Sequence, residues 1–191
     1  VWGTTRSETP GDGWIRLDVT SPDMQDRLRA ALGDRALDLL ICNAGVYPDK
    51  GERLDDGYPA AMWADAFAAN VTGAFRTVQA ALPNLRAAGS ARIALISSQM
   101  ASHTRAPGGS YIYRATKAAL LNLGRNLATD LKADGISVGI YHPGWVQTEM
   151  GGPAAEITVD EAATGLMARF EALSPATTGA FETWDGRAHP Y

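Results

Sequence analysis

Residues 37–45 read Leu37-Asp38-Leu39-Leu40-Ile41-Cys42-Asn43-Ala44-Gly45. Apolar side chains fill the run to Cys42 except for one Asp, and Asn-Ala-Gly closes it. Strict alternation would mark a strand with one wet face. A short continuous run marks a strand buried on both faces, as in a parallel sheet. Residues 92–98 and 136–141 read the same way, the second ended by His142-Pro143-Gly144. A last strand is expected over 179–184. Two short ones are expected over 1–5 and 14–19, with a loop through Pro10 and Gly11 between them.

Helical patterns fill the gaps. Thr20 or Ser21 caps a helix to about 32, with Met24, Leu28, Ala31 and Leu32 on one face. Residues 62–85 read as a helix kinked near Gly73 and Pro83. A long helix over 111–133 is stopped by Gly135. Thr158 and Glu161 fit a capping box that opens a helix to about 173. Residues 47–59, 99–110 and 147–157 are loops. Strands alternating with helices predict an α/β fold, a parallel sheet covered on both faces.

The 191 residues suit one domain, and 46% hydrophobic content suits a packed core. A net charge of −4 gives no basis for non-specific binding to nucleic acid or an anionic membrane. The single cysteine, Cys42, excludes an intrachain disulfide and a multi-cysteine zinc site, and fits a reducing, cytoplasmic setting. His103, His142 and His189 have no ligand spacing, so no metal is expected. Apolar runs fall far short of the roughly 20 residues a membrane helix needs.

Five places carry chemistry. In Tyr113-Arg114-Ala115-Thr116-Lys117, residues four apart share a helix face, so a phenol and an ammonium come together. A nearby cation favours phenolate, and a phenol so tuned can give or take a proton at a carbonyl or alcohol oxygen. Tyr111 has Ala115 at the corresponding position and offers no rival. Ser97-Ser98 follows a strand, where open α/β sheets place their sites. Cys42-Asn43-Ala44-Gly45 ends another strand with small residues that admit a ligand close to the backbone. Pro143-Gly144-Trp145-Val146-Gln147-Thr148 follows a third. Asn70, a mediocre helix former inside a helix, suggests a specific hydrogen-bonding task or a solvent-facing position.

In this order and placement, Asn43-Ala44-Gly45, Asn70, Ser98, Tyr113-x-x-x-Lys117 and Pro143-Gly144 resemble the short-chain dehydrogenase/reductase family. The resemblance spans nearly the whole chain, to about Trp184, and is nearest to small C-factor-like bacterial oxidoreductases. It implies a Rossmann-like, doubly wound parallel sheet and an NAD(P)-dependent oxidoreductase acting on a small-molecule carbonyl or alcohol. Tyr113 would be the general acid/base. Lys117 would depress its pKa and hold the nicotinamide ribose. Ser98 would orient the substrate oxygen, and Asn70 would anchor a relay water. Asp18, with Val19 beside it, looks like the acidic residue that contacts the adenine. Asn43, Ala44 and Gly45 would line the cofactor cleft, and Pro143, Gly144, Val146 and Thr148 would meet the carboxamide. The family also implies a homodimer or homotetramer. The rival reading is a non-enzymatic binding module of the same fold.

The chain departs from the family pattern twice. Ser98 and Tyr113 are 15 residues apart, longer than is common in the family, which leaves Ser97 and Ser102 as alternative partners. The family's first strand and its Thr-Gly-x-x-x-Gly-x-Gly loop, which receives a pyrophosphate, are not in the sequence. In a sheet of order 3-2-1-4-5-6 that strand is central. Without it, strands 1–5 and 14–19 have no partner linking them to 37–43. The expectation is that the natural protein carries about 30 further residues of such a βα unit upstream of Val1. Arg6, just past the 1–5 strand, occupies the place that reads the adenosine ribose and offers a planar fork suited to a 2′-phosphate. NADP is therefore expected over NAD.

Overall fold

The computed structural model describes residues 1–9 and 11–191. Pro10, expected within the loop after the first strand, lies outside the described residues. Strands β1 (Gly3–Thr5) and β2 (Trp14–Arg16) lead to helix α1 (Met24–Leu32) and strand β3 (Leu39–Cys42). Helix α2 (Ala60–Phe67), a π-helical turn (Ala68–Thr72) and helix α3 (Gly73–Ala87) carry the chain to strand β4 (Ala91–Ile96). Helix α4 (Tyr111–Asp130) precedes strand β5 (Ile136–His142), and helix α5 (Val159–Ala172) precedes strand β6 (Phe181–Thr183).

The named strands pair in parallel throughout. β3, β4, β5 and β6 form one sheet in that order, with Leu39 opposite Arg92, Ala91 opposite Ile136 and Ile140 opposite Phe181. β1 and β2 pair separately, Gly3 opposite Trp14. Among the described residues no ladder joins β1 to β3, which is the break expected where the central strand is not in the sequence. Among the described residues β3 pairs on one side only, and its burial is less complete than expected of a strand covered on both faces. Ile41 is 41% exposed, whereas Ile93 and Val138 on the inner strands are 0% exposed.

Alternate residues of a strand face opposite sides. Ile93 and Leu95 of β4 join Val78, Leu85 and Leu120 in the larger core beneath α3 and α4. Ala94 and Ile96 pack with Tyr141 and with Phe170 of α5 on the other side. Helices therefore cover both faces of the parallel sheet. α4 lies very close to it: a Cβ at Gly124 would come within 2.6 Å of Ile140 Cγ1 and 2.8 Å of Leu95 Cδ1.

Three helix boundaries differ from the sequence reading. The 62–85 helix is interrupted at the π turn directly before Gly73, close to the expected kink, whereas Pro83 lies within α3. π turns interrupt helices and recur at functional sites, and this one carries the fully buried Asn70. α1 begins at Met24, with Asp23 rather than Thr20 or Ser21 at the cap position. Helix α4 ends at Asp130, and a short 3-10 turn, Lys132–Asp134, follows before Gly135. The capping box at Thr158 and Glu161 forms as expected, with both reciprocal hydrogen bonds present.

Candidate active site

The carboxyl ends of β3, β4 and β5 open onto a cavity of about 820 Å³. Asn43, Gly45, Ser98, Tyr113, Lys117, Pro143, Gly144, Val146 and Thr148 all line it. A second cavity of about 270 Å³ is lined by Arg6, Asp18, Val19 and Thr20, and shares Asn43 and Gly45 with the first. Ala44 also lies there. Residues read separately along the sequence thus flank one continuous region.

Tyr113 projects from the first turn of α4 and is buried. Burial pushes its phenol up to about 12, while the Ser98 hydroxyl beside it acts in the opposite direction. Lys117, one turn on, donates from Nζ to the Ile96 carbonyl at 2.9 Å and lies 5.6 Å from the centre of the Tyr113 ring. Burial pulls this ammonium down to about 8. Burial is the largest influence on the phenol, and the Lys117 Nζ is turned to the carbonyl at the strand end.

The neighbouring serines divide the work. Ser97 Oγ donates to the Lys117 carbonyl at 3.0 Å, fixing α4 against β4. Ser102 Oγ is engaged with Thr104 and with the Tyr191 carbonyl. Ser98 is the one whose hydroxyl bears on the Tyr113 phenol. It also accepts from the Met100 amide at 3.1 Å.

Asn70 sits beneath the cavity. Its Oδ1 accepts from the Val46 amide at 2.7 Å, and its Nδ2 donates to the Val46 carbonyl at 2.9 Å and to Thr116 Oγ1 at 3.0 Å. Both amide donors are thereby used on protein groups. Gly45 passes directly over this network. A Cβ there would lie 3.2 Å from Asn70 Oδ1 and 3.4 Å from Lys117 Nζ. Without it the cavity floor is bare backbone that a flat ligand can approach.

At the other end, Asp18 accepts from the Thr20 amide at 2.9 Å and the Thr20 hydroxyl at 2.7 Å. These bonds, with Arg6 nearby, hold its carboxyl below the usual range. Val19 is packed against Gly73, where a Cβ would come within 2.8 Å of Val19 Cγ2. Arg6 is exposed at the rim. On the opposite side Met100, Trp145, Met150, Val159 and Leu166 give the large cavity an apolar wall. His142 also lines it, with Nδ1 buried and unpartnered among the described residues. Burial pulls its imidazole down to about 4.

Residues 10–157 match the short chain dehydrogenase family model. The chain belongs to the short-chain dehydrogenase family. Among similar proteins, C-signal of Myxococcus xanthus is 37% identical over 156 residues, covering 81% of this chain and 93% of that protein. The 1-hydroxy-2-glutathionyl-2-methyl-3-butene dehydrogenase of Rhodococcus sp. (strain AD45) is 34% identical over 178 residues, covering 89% and 76%. The structure of NADPH-bound carbonyl reductase from chicken fatty liver superposes with a TM-score of 0.85 at 30% identity, covering 94% of this chain and 78% of that one. Carbonyl reductase Sniffer of D. melanogaster gives a TM-score of 0.86 at 27% identity, covering 93% and 77%.

In this short-chain dehydrogenase, Tyr47, Asp49 and Thr116 touch the site without having been singled out in the sequence. Thr116 lies inside the Tyr113-x-x-x-Lys117 stretch, and its hydroxyl donates back to the Tyr113 carbonyl at 2.8 Å, a habit of helical Thr that could have flagged it. Asp49 carries no such signal. It shares its loop with Asp55 and Asp56, and only the fold distinguishes them.

Proposed function

We propose that this short-chain dehydrogenase is an NAD(P)-dependent oxidoreductase that interconverts a carbonyl and an alcohol, with Tyr113 as general acid/base. The observation that carries the reading is the convergence of Ser98, Tyr113 and Lys117 on one cavity at the strand ends. Structural neighbours named as carbonyl reductases support it.

The residues present fit a nicotinamide dinucleotide. The bare Gly45 floor joins the two cavities, with a guanidinium and hydroxyls at one end and a phenol and ammonium at the other. Asp18 and Val19 would hold the adenine, Arg6 a 2′-phosphate, and Asn43 to Gly45 the middle of the molecule. Tyr113 and Lys117 would hold the nicotinamide ribose, and Pro143, Gly144, Val146 and Thr148 the carboxamide. When bound, the nicotinamide supplies or takes up hydride at the substrate carbon.

The chain's own residues handle the oxygen. Tyr113 Oη carries the proton that the carbonyl oxygen takes up in reduction. Its burial keeps it protonated at neutral pH, which is the form reduction needs. Ser98 Oγ hydrogen bonds the same oxygen. Lys117, charged at neutral pH, favours the phenolate left behind. The apolar wall selects a small-molecule carbonyl with an apolar substituent. We assign the protein to symmetric dimers or tetramers, NADP as its cofactor over NAD, and the cytoplasm as its location.

Titration of the full-length protein with NADPH and NADH, followed by a reductase screen over aldehydes, ketones and quinones, tests the reading. Tight NADPH binding with turnover of an apolar carbonyl is expected. Failure to bind either nucleotide would favour the non-enzymatic module.

A further inference from the structure

Helix α4 starts in an unusual way. Ser110, at its cap position, has φ 49 and ψ 44, left-handed rather than extended, and its side chain makes no capping hydrogen bond. Its Oγ pairs instead with the Tyr47 hydroxyl at 2.5 Å. A local cap would serve the amides of the second or third helical residue. Here those residues are Ile112 and Tyr113, and both amides go to a carboxylate remote in sequence. Asp49 Oδ2 accepts from the Ile112 N–H at 2.8 Å, and the two Asp49 oxygens accept from the Tyr113 N–H at 3.2 and 3.3 Å.

Asp49 is 0% exposed, and among the described residues it forms no ion pair. The positive end of α4 is what compensates its burial. The same loop grips Tyr113 a second time. The Tyr47 ring stacks on the Tyr113 ring, with centroids 4.1 Å apart and planes 20° from parallel. One loop therefore holds Tyr113 by its backbone and by its ring.

We propose that Asp49 is a positioning residue for Tyr113: its carboxylate replaces the missing local cap, fixes the first turn of α4 against the 46–59 loop, and places a negative charge at the backbone of the residue that carries the phenol. The inference rests on Tyr113 being the general acid/base. The groups facing that phenol are Tyr47 and Asp49 from the loop and Lys117 from its own helix, with Lys50, His142 and Glu149 further round the cavity. Asp49 and Tyr47 both act to raise the phenol's pKa. Removing the Asp49 charge shifts the balance toward Lys117, so the phenol ionises at lower pH.

The test uses Asp49→Ala and Asp49→Asn beside Tyr113→Phe in the full-length protein. Amide hydrogen exchange at Ile112 and Tyr113 reads the cap; kcat, KM and the pH profile read the chemistry. In Asp49→Ala, exchange at these two amides should speed by about tenfold or more while amides of β4 and β5 keep their rates. The same variant should lower kcat by about tenfold with a smaller change in KM. Asp49→Asn keeps an acceptor, so it carries the test should Asp49→Ala not fold. Its basic limb in the kcat profile should move to lower pH by about half a unit or more. Unchanged exchange at both amides in Asp49→Ala, or an Asp49→Asn profile that superposes on wild type, overturns the proposal. If Tyr113→Phe keeps full turnover, the acid/base reading falls, and with it the role given to Asp49. Fast exchange in Asp49→Ala would then establish only the cap.

Discussion

Asn70 Nδ2 donates to Thr116 Oγ1 at 3.0 Å, and Thr116 Oγ1 donates in turn to the Tyr113 carbonyl at 2.8 Å. Both side chains are fully buried. The π turn and the first turns of α4 are thus joined by a relay of hydrogen bonds, and the paired bonds from Asn70 to Val46 extend it to the strand end. The interrupted helix brings Asn70 into this position, where it holds the cavity floor and the Tyr113 helix in one frame.

Replacing Thr116 by Val keeps the shape and removes the acceptor. One Asn70 N–H is then buried without a partner, which costs about 1–3 kcal/mol. Thr116→Val should therefore lower Tm in a thermal melt, and it should lower turnover as the first turns of α4 loosen. A melt identical to wild type would show that the relay contributes nothing to stability.

His142 gives the fold an acid-sensitive element. Its imidazole is held down to about 4, against an ordinary 6.5, chiefly by burial. The unfolded chain therefore takes up this proton first as pH falls. Stability present above about pH 6.5 should be lost progressively toward pH 4 and level off below it, by at most about 3 kcal/mol. Denaturant melts of wild type and His142→Gln across this window check it. The variant should show the flatter dependence, and equal slopes would contradict the assignment.

Arg6 stands at the rim of the smaller cavity, near Asp18. If it reads a 2′-phosphate, Arg6→Ala removes a charge-assisted contact of about 1.5–3 kcal/mol. Calorimetric titration of the full-length protein should show NADPH weakened by about tenfold or more and NADH nearly unchanged. Equal weakening of both, or a wild type that prefers NADH, would remove Arg6 from this role.

Much of this molecule is legible in its residues. The apolar runs of β4 and β5 lie inside the sheet as read, and Thr158 with Glu161 caps α5 as their spacing predicts. Apart from Asn70, which lies beneath their floor, the residues read as a site line adjoining cavities, because strand ends collect what the sequence separates. What could not be read depends on neighbours. The 41% exposure of Ile41 is not readable from its own type. No residue type marks the π turn at Ala68–Thr72. The upward shift of Tyr113 comes from burial that spacing to Lys117 does not reveal. The hold of Asp49 on α4 joins residues 63 and 64 apart, beyond any local pattern.

The most direct test of the acid/base assignment compares Tyr113→Phe with Tyr111→Phe. Tyr111 is on the same turn but is 40% exposed and packs edge-on to Tyr58, with ring centroids 5.2 Å apart. Both substitutions keep the ring and remove one hydroxyl. With NADPH and an apolar carbonyl substrate, Tyr113→Phe should lower kcat by about 10²–10⁴-fold, the usual worth of a positioned acid, while its melt stays near wild type. Tyr111→Phe should stay close to wild type in both. Equal losses from the two, or full turnover in Tyr113→Phe, would contradict the account.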